Sequence, residues 1–228
     1  MSMSFQGFDP RALPFLKALA FHQSKEWFEA NRGTYEVAIK APMGDLVEEL
    51  SAAFAEARLP LKGDRKTALF RIHRDTRFAK DKSPYKTNSG AVMTRQGSKN
   101  EPGLFYFHIA PEGCFTAAGF YNPEPPQLAN IRAAMARDPV GWKRMLAKLA
   151  KAGLAPSTEY ALTRLPRGFE GNGDEELVAG LKLKSIVCTR PITEEEIGGP
   201  GLIPVLVAFA KDALPLLEWG WSAVVEER

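Results

Sequence analysis

Cysteine and histidine are scarce. The 228 residues hold two cysteines and three histidines. Cys114 and Cys188 form no Cys-x-x-Cys pair, which fits a reducing compartment with free, buried thiols. No two of His22, His73 and His108 stand at metal-ligand spacing. A structural zinc needs four nitrogen or sulfur ligands, so no metal is expected; a weak Mg²⁺ site at Asp75 or Asp81 is the one option left open. Cofactor loops are missing as well. There is no Gly-x-Gly-x-x-Gly, and Gly63-Asp-Arg-Lys-Thr67 lacks the first glycine and the Gly-Lys pair of a phosphate loop, so no cofactor is expected. No Gly-x-Ser-x-Gly elbow is present. Long apolar runs are also absent. Leu202 to Ala210 is the longest and Pro204 interrupts it, whereas a bilayer span needs about 20 apolar residues. Met1 to Asp9 has neither the basic nor the apolar region of a signal peptide. The expectation is a cytoplasmic protein with no membrane partner.

What the chain does have is an ordinary globular composition, 45% hydrophobic and 25% charged, and enough length to bury a core without staples. One domain over residues 1–228 is expected. The net charge of +3 is modest, but its distribution is not. Residues 62–99 carry eleven lysines and arginines against three aspartates. That segment is therefore +8, which leaves −5 for the rest of the chain.

The N-terminal third reads as helical. Asp9 is a candidate N-cap with Pro10 at the first helical position, and Leu13, Leu16, Leu19 and Ala20 follow at helical spacing. Ser24 caps a second helix carrying Trp27, Phe28, Asn31 and Tyr35. Pro42 kinks that helix or starts the next, which ends near Leu59-Pro60. The middle third reads as strands: a short mixed Leu69 to Arg74, then Ala91 to Arg95, Leu104 to Ala110 and Cys114 to Tyr121. Pro111-Glu112-Gly113 turns the last two into a hairpin. In the last third, helices are expected over 126–137, from Asp138-Pro139 to about Ala152, and from Asp174 to Leu181. A strand follows over Leu183 to Arg190, then a capping box at Thr193 and a C-terminal helix ending near Trp219 or Trp221. Helices, then strands, then a mixture indicate an α+β fold with an antiparallel or mixed sheet.

The basic segment runs Phe70-Arg-Ile-His-Arg-Asp-Thr-Arg-Phe-Ala-Lys-Asp-Lys-Ser-Pro-Tyr-Lys-Thr-Asn88. Arginine suits planar, bidentate contact with carboxylate or phosphate, and lysine adds point charge. Arg71, Arg74, Arg77, Lys82, Tyr85 and Lys86 are the candidate ligand-binding residues, with Asp75 orienting an arginine. Asn31, Arg32 and Arg132 form a second line of candidates. The same charges also fit a solvated, internally paired surface, because Asp75 and Asp81 sit among them. Against this, Phe70, Ile72, Phe78 and Tyr85 interleave with the charges and bring some of them close to a core.

At these residues the chain resembles DUF2461, a family of uncharacterised proteins. The matching stretches are Lys25-Glu-Trp-Phe-Glu-Ala-Asn-Arg32 with Tyr35, Arg71 with Arg74-Asp-Thr-Arg-Phe78, and Lys80-Asp-Lys-Ser-Pro-Tyr-Lys-Thr87. Further on come Gly119-Phe-Tyr with Pro123, Leu128 with Ile131-Arg132, Pro166-Arg-Gly-Phe169, and Leu181-Lys-Leu-Lys-Ser185. The resemblance implies one full-length domain and carries no established activity. Two departures stand out. His22-Gln23-Ser24 replaces the family's Asn-Asn before the Trp-Phe stretch, and Gly173-Asp174 stands where relatives have a His-Pro.

The leading expectation is a small-ligand-binding domain with a basic pocket for a phosphate- or carboxylate-bearing molecule. In an enzyme version, His73, His108 and Asp75 are the acid–base candidates. If the strands carrying them are neighbours, Arg71, His73, Tyr106 and His108 line one face. Two alternatives stay open. One is a nucleic-acid-binding module, and the other is an interaction or structural protein whose basic segment docks an acidic partner.

Overall fold

The computed structural model describes residues 5–170 and 174–224. Of the Gly173-Asp174 pair named above, Gly173 lies outside them and Asp174 within. The fold is α+β: a helical N-terminal region, three strands in the middle, then helices and a fourth strand that completes a four-stranded antiparallel sheet. Among the described residues no helix is long and apolar enough to cross a membrane.

Helix α1 spans Ala12–Phe21 and α2 spans Lys25–Tyr35. Asp9 is not the N-cap of α1; that position is Arg11. The Asp9 carboxylate instead accepts from the Arg11 amide at 2.8 Å and from its guanidinium at 2.7 Å, closing a turn one step earlier. Ser24 caps α2, its hydroxyl accepting from the Trp27 amide at 3.2 Å. After α2 the chain does not break at Pro42. Glu36–Lys40 form a π-helical turn that runs straight into α3, Ala41–Glu56, with Pro42 in its first turn. A proline is tolerated there because first-turn amides lack helical partners in any case.

Strands β1 (Ser89–Thr94), β2 (Leu104–Ile109) and β3 (Cys114–Phe120) precede β4 (Ile186–Ile192), and the sheet order is β1-β2-β3-β4. Strand β2 alternates: Phe105, Phe107 and Ile109 are buried, while Leu104, Tyr106 and His108 are half-buried. That period of two is what an extended backbone dictates. Strand β1 is buried throughout. Its outer edge is covered by residues 62–70 through isolated bridges, Lys62 to Thr94 and Leu69 to Ala91, and the strand expected over Leu69 to Arg74 is reduced to two such bridges, at Leu69 and from His73 to Tyr85. Such covering blocks edge-to-edge association. The remaining helices are α4 (Pro125–Arg137), α5 (Pro139–Lys151), α6 (Glu175–Leu181), the short α7 (Glu194–Ile197) and α8 (Leu202–Val224). Strand β4 begins three residues later than the spacing suggests.

The chain divides into two compact units, each built from separate stretches of sequence. One holds the chain up to Lys99, Tyr106–Thr116 and Pro191–Ala208. In it Phe8 stacks on Phe107 at 6.0 Å and packs edge-on to Phe5 at 5.6 Å. The Phe8 amide donates to the Ile197 carbonyl at 2.8 Å. The other unit holds Asn100–Phe105, Ala117–Arg190 and the chain from Phe209 onward. There Trp142 packs against Trp219 at 4.9 Å, and the Trp221 indole donates to the Pro102 carbonyl at 3.0 Å.

Candidate anion site

The basic segment forms an irregular hairpin within the first unit. Residues 70–74 run antiparallel to 84–90: the Phe70 amide donates to Gly90, Lys86 to Ile72 and Arg74 to Pro84, at 2.8 to 3.1 Å. Tyr85 anchors it. Its ring is buried and stacks on Phe28 of α2 at 4.5 Å, and its amide donates to the Gln23 side chain at 3.0 Å. Tyr85 is thus a packing residue, and burial pushes its hydroxyl pKa up.

At the tip of the hairpin, residues 75–83, each acid is matched to an arginine. Arg77 pairs with Asp75 at 2.7 Å, and Arg74 pairs with Asp81. Both carboxyls are held below their ordinary pKa. For Asp75 the main cause is the Arg77 guanidinium; for Asp81 the Ser83 hydroxyl comes first and Arg74 second. The Lys82 ammonium donates to the Thr76 carbonyl at 2.9 Å. Three of the expected ligand residues therefore already have partners in the loop.

At the base of the hairpin the charges are arranged differently. The Lys86 and Lys99 ammoniums lie over one ring, that of Phe70, at 5.3 and 4.8 Å from its centre. Lys99 also donates to the Leu69 carbonyl. Among the described residues no ion pair involves Arg71, Lys86 or Lys99. Burial, then repulsion from Lys86 and Arg71, lowers the Lys99 pKa. Like charges gathered without a counter-charge raise the free energy of the empty site, and an anion relieves it. Of the expected set, the structure gathers Arg71 and Lys86. Lys99, which sequence reasoning counted only as charge, joins them because the turn after β1 carries it back to Leu69.

Beside this cluster lies the half-buried face of β2. Phe70 meets Tyr106 edge-on at 6.0 Å. The Tyr106 hydroxyl is 2.9 Å from Nδ1 of His108, whose ring stacks on Phe115 at 4.6 Å. Gly90 makes room for this: a Cβ there would stand 2.5 Å from the Tyr106 hydroxyl. Burial lowers the His108 pKa, and Glu112 opposes the shift. His108 is neutral at pH 7. His73 does not share this face. It packs against Phe28 at 5.9 Å and Tyr85 at 5.2 Å.

The second-line residues are each committed locally. The Asn31 amide donates to the Trp27 carbonyl at 2.9 Å, and Arg32 pairs with Glu29 at 2.5 Å. Arg132 belongs to the second unit. It donates to the Leu181 and Leu183 carbonyls at 2.9 and 3.0 Å, so it ties α6 to the residues that follow. Among the described residues no three His, Cys, Asp or Glu side chains are grouped to hold a metal ion. Both thiols are buried, and burial takes Cys188 to about 12; neither is a thiolate nucleophile at neutral pH.

The family described as "Conserved hypothetical protein (DUF2461)" matches residues 11–219. No curated protein and no solved structure matches the chain.

Proposed function

The chain belongs to the DUF2461 family, and on that premise we propose that it binds a small molecule bearing a phosphate or carboxylate. Arg71, Lys86 and Lys99 hold the anion around Phe70. The observation that carries this reading is the gathering of three cations, two of them over one aromatic ring, with no acidic partner. Structural ion-pair networks bring their own counter-charges, as Asp75 and Asp81 do at the hairpin tip. This cluster lacks one. The half-buried Tyr106 and His108 beside it supply a hydroxyl and a neutral imidazole for the uncharged part of the ligand.

Thermal unfolding in inorganic phosphate and in citrate at low ionic strength tests the reading. An anion at 100 times its Kd stabilises by about 2.7 kcal/mol, which raises the melting temperature of a chain this size by several degrees. Lys86→Ala removes a repulsive partner of Lys99, so it keeps or raises the unliganded melting temperature and loses the anion-induced rise. Arg77→Ala, whose guanidinium is already paired with Asp75, keeps that rise. No rise in the wild-type protein with any phosphate or carboxylate anion would sink the proposal.

A further inference from the structure

Phe78 is 94% exposed, more than any other large apolar side chain among the described residues. The Arg77–Asp75 and Arg74–Asp81 pairs and the Lys82 bond to Thr76 surround it. A large aromatic ring held in water adds nothing to the chain's own core, and its area is free for a partner. The Arg77 guanidinium sits 5.9 Å from the Phe78 ring centre. Phe70, 40% exposed at the other end of the same hairpin arm, also carries cations over its ring. The hairpin thus presents one fully exposed ring, Phe78, and a cation cluster over a second, Phe70, in a segment of net +8 within an otherwise acidic chain.

We propose that this arm binds single-stranded nucleic acid, with Phe78 stacking on a base and Arg71, Lys86 and Lys99, gathered at Phe70, taking phosphates. The proposal rests on the anion cluster of that reading and gives it a polymeric phosphate ligand in place of a small molecule. Aromatic faces interleaved with cations are the general device for holding unpaired strands, because every base has a face to stack and every linkage a charge. A duplex hides those faces. The two rings are eight residues apart, at most about 26 Å along an extended chain. About eight stacked nucleotides at 3.4 Å each cover that distance. An anionic bilayer would take Phe78 at the hairpin tip and leave the cations at the hairpin base unused.

The test is fluorescence anisotropy of labelled dT12 with the full chain, between 50 and 200 mM salt. Three phosphate contacts give a slope of log K against log salt of about −2. Phe78→Ala weakens binding about 5- to 150-fold through loss of one stacked base, with an unchanged melting temperature because the ring is exposed. Phe78→Leu, apolar but unable to stack in the same way, weakens it similarly. Lys86→Ala and Lys99→Ala each flatten the salt slope by about 0.7. Phosphatidylserine vesicles form the second arm. Vesicle binding that Phe78→Ala abolishes, without dT12 binding, overturns the proposal in favour of a lipid surface. dT12 binding that ignores Phe78, Lys86 and Lys99 overturns it as well. If phosphate stabilises the protein through Lys86 while dT12 does not bind, this inference fails and the anion site stands.

Discussion

Gly119 sits in the middle of β3 at φ +136°, and a Cβ there would overlap the carbonyl oxygen of Ile186 on β4. That neighbour is backbone and cannot rotate away. Gly119→Ala is expected to cost about 3–5 kcal/mol, joining strain at a disfavoured φ to overpacking. Gly153 provides the contrast. It has φ +70° and nothing within 4 Å, so Gly153→Ala costs only about 1–2 kcal/mol, for the left-handed backbone alone. Denaturant titration of both variants checks this, and equal losses would show that the close approach to β4 is not what requires the glycine. The Gly119-Phe-Tyr stretch stands out in the sequence, but the reason for its glycine does not, because Ile186 is 67 residues away. The same holds for Lys99, whose partners Leu69, Phe70 and Lys86 meet it only through the fold. His108 gives a residue-scale pH effect. Its folded pKa lies below the unfolded value of about 6.5, mainly through burial. The unfolded chain therefore takes up the proton first. This contribution is neutral above pH 6.5 and destabilises as the pH falls through 6.5 toward the folded pKa. Between pH 7.5 and 5.5, wild type should lose more stability than His108→Gln, whereas parallel profiles would contradict the burial account.

Among the elements, the hairpin depends most on one contact. Its inner half is pinned by Tyr85 on Phe28, with His73 against both rings. Phe28 is fully buried and also meets Phe15 and Tyr35, so Phe28→Ala should cost about 3–5 kcal/mol. The loss should be read locally. The Arg74 and Lys86 amides close the hairpin through Pro84 and Ile72, and they should exchange with deuterium faster relative to the amides of β2 and β3. Uniform acceleration across all of these would mean that the hairpin opens only with the rest of the fold. Helix positions were largely legible, because Ser24, Asp138, Asp174 and Thr193 cap where their chemistry indicates. The hairpin was not. Its arms lack the alternation of a regular ladder and form only isolated bridges, Leu69 to Ala91 and His73 to Tyr85. The π-helical turn over Glu36–Lys40 leaves no mark that distinguishes it from an ordinary helix or a break at Pro42. The charge run itself was visible at once. Which charges neutralise one another was not, since Asp75 and Asp81 choose Arg77 and Arg74 through loop geometry.

For the molecule as a whole, neither compact unit is a continuous piece of chain. The unit that holds the anion site draws Tyr106–Thr116 and Pro191–Ala208 into its core besides the chain up to Lys99. Phe107 supplies the ring on which Phe8 stacks, and Ile197 the carbonyl that accepts from the Phe8 amide. Gly7 lies so close to the Gly198 backbone that no side chain fits between them. A fragment of residues 5–99 contains the helical N-terminal region and every residue of the proposed anion cluster, but it lacks these later segments. Its buried Phe5 and Phe8 would face water, and β1 would lose its neighbour β2. Losing a few large buried side chains from their packing removes roughly 1.5–3 kcal/mol each, against a net stability of about 5–15 kcal/mol for a typical domain. The fragment should therefore show a collapsed amide proton spectrum and no phosphate-induced stabilisation, although α1 to α3 keep some helical signal by circular dichroism. A dispersed spectrum with a cooperative transition would show that the N-terminal stretch folds alone, and that the later segments dock onto a core already complete.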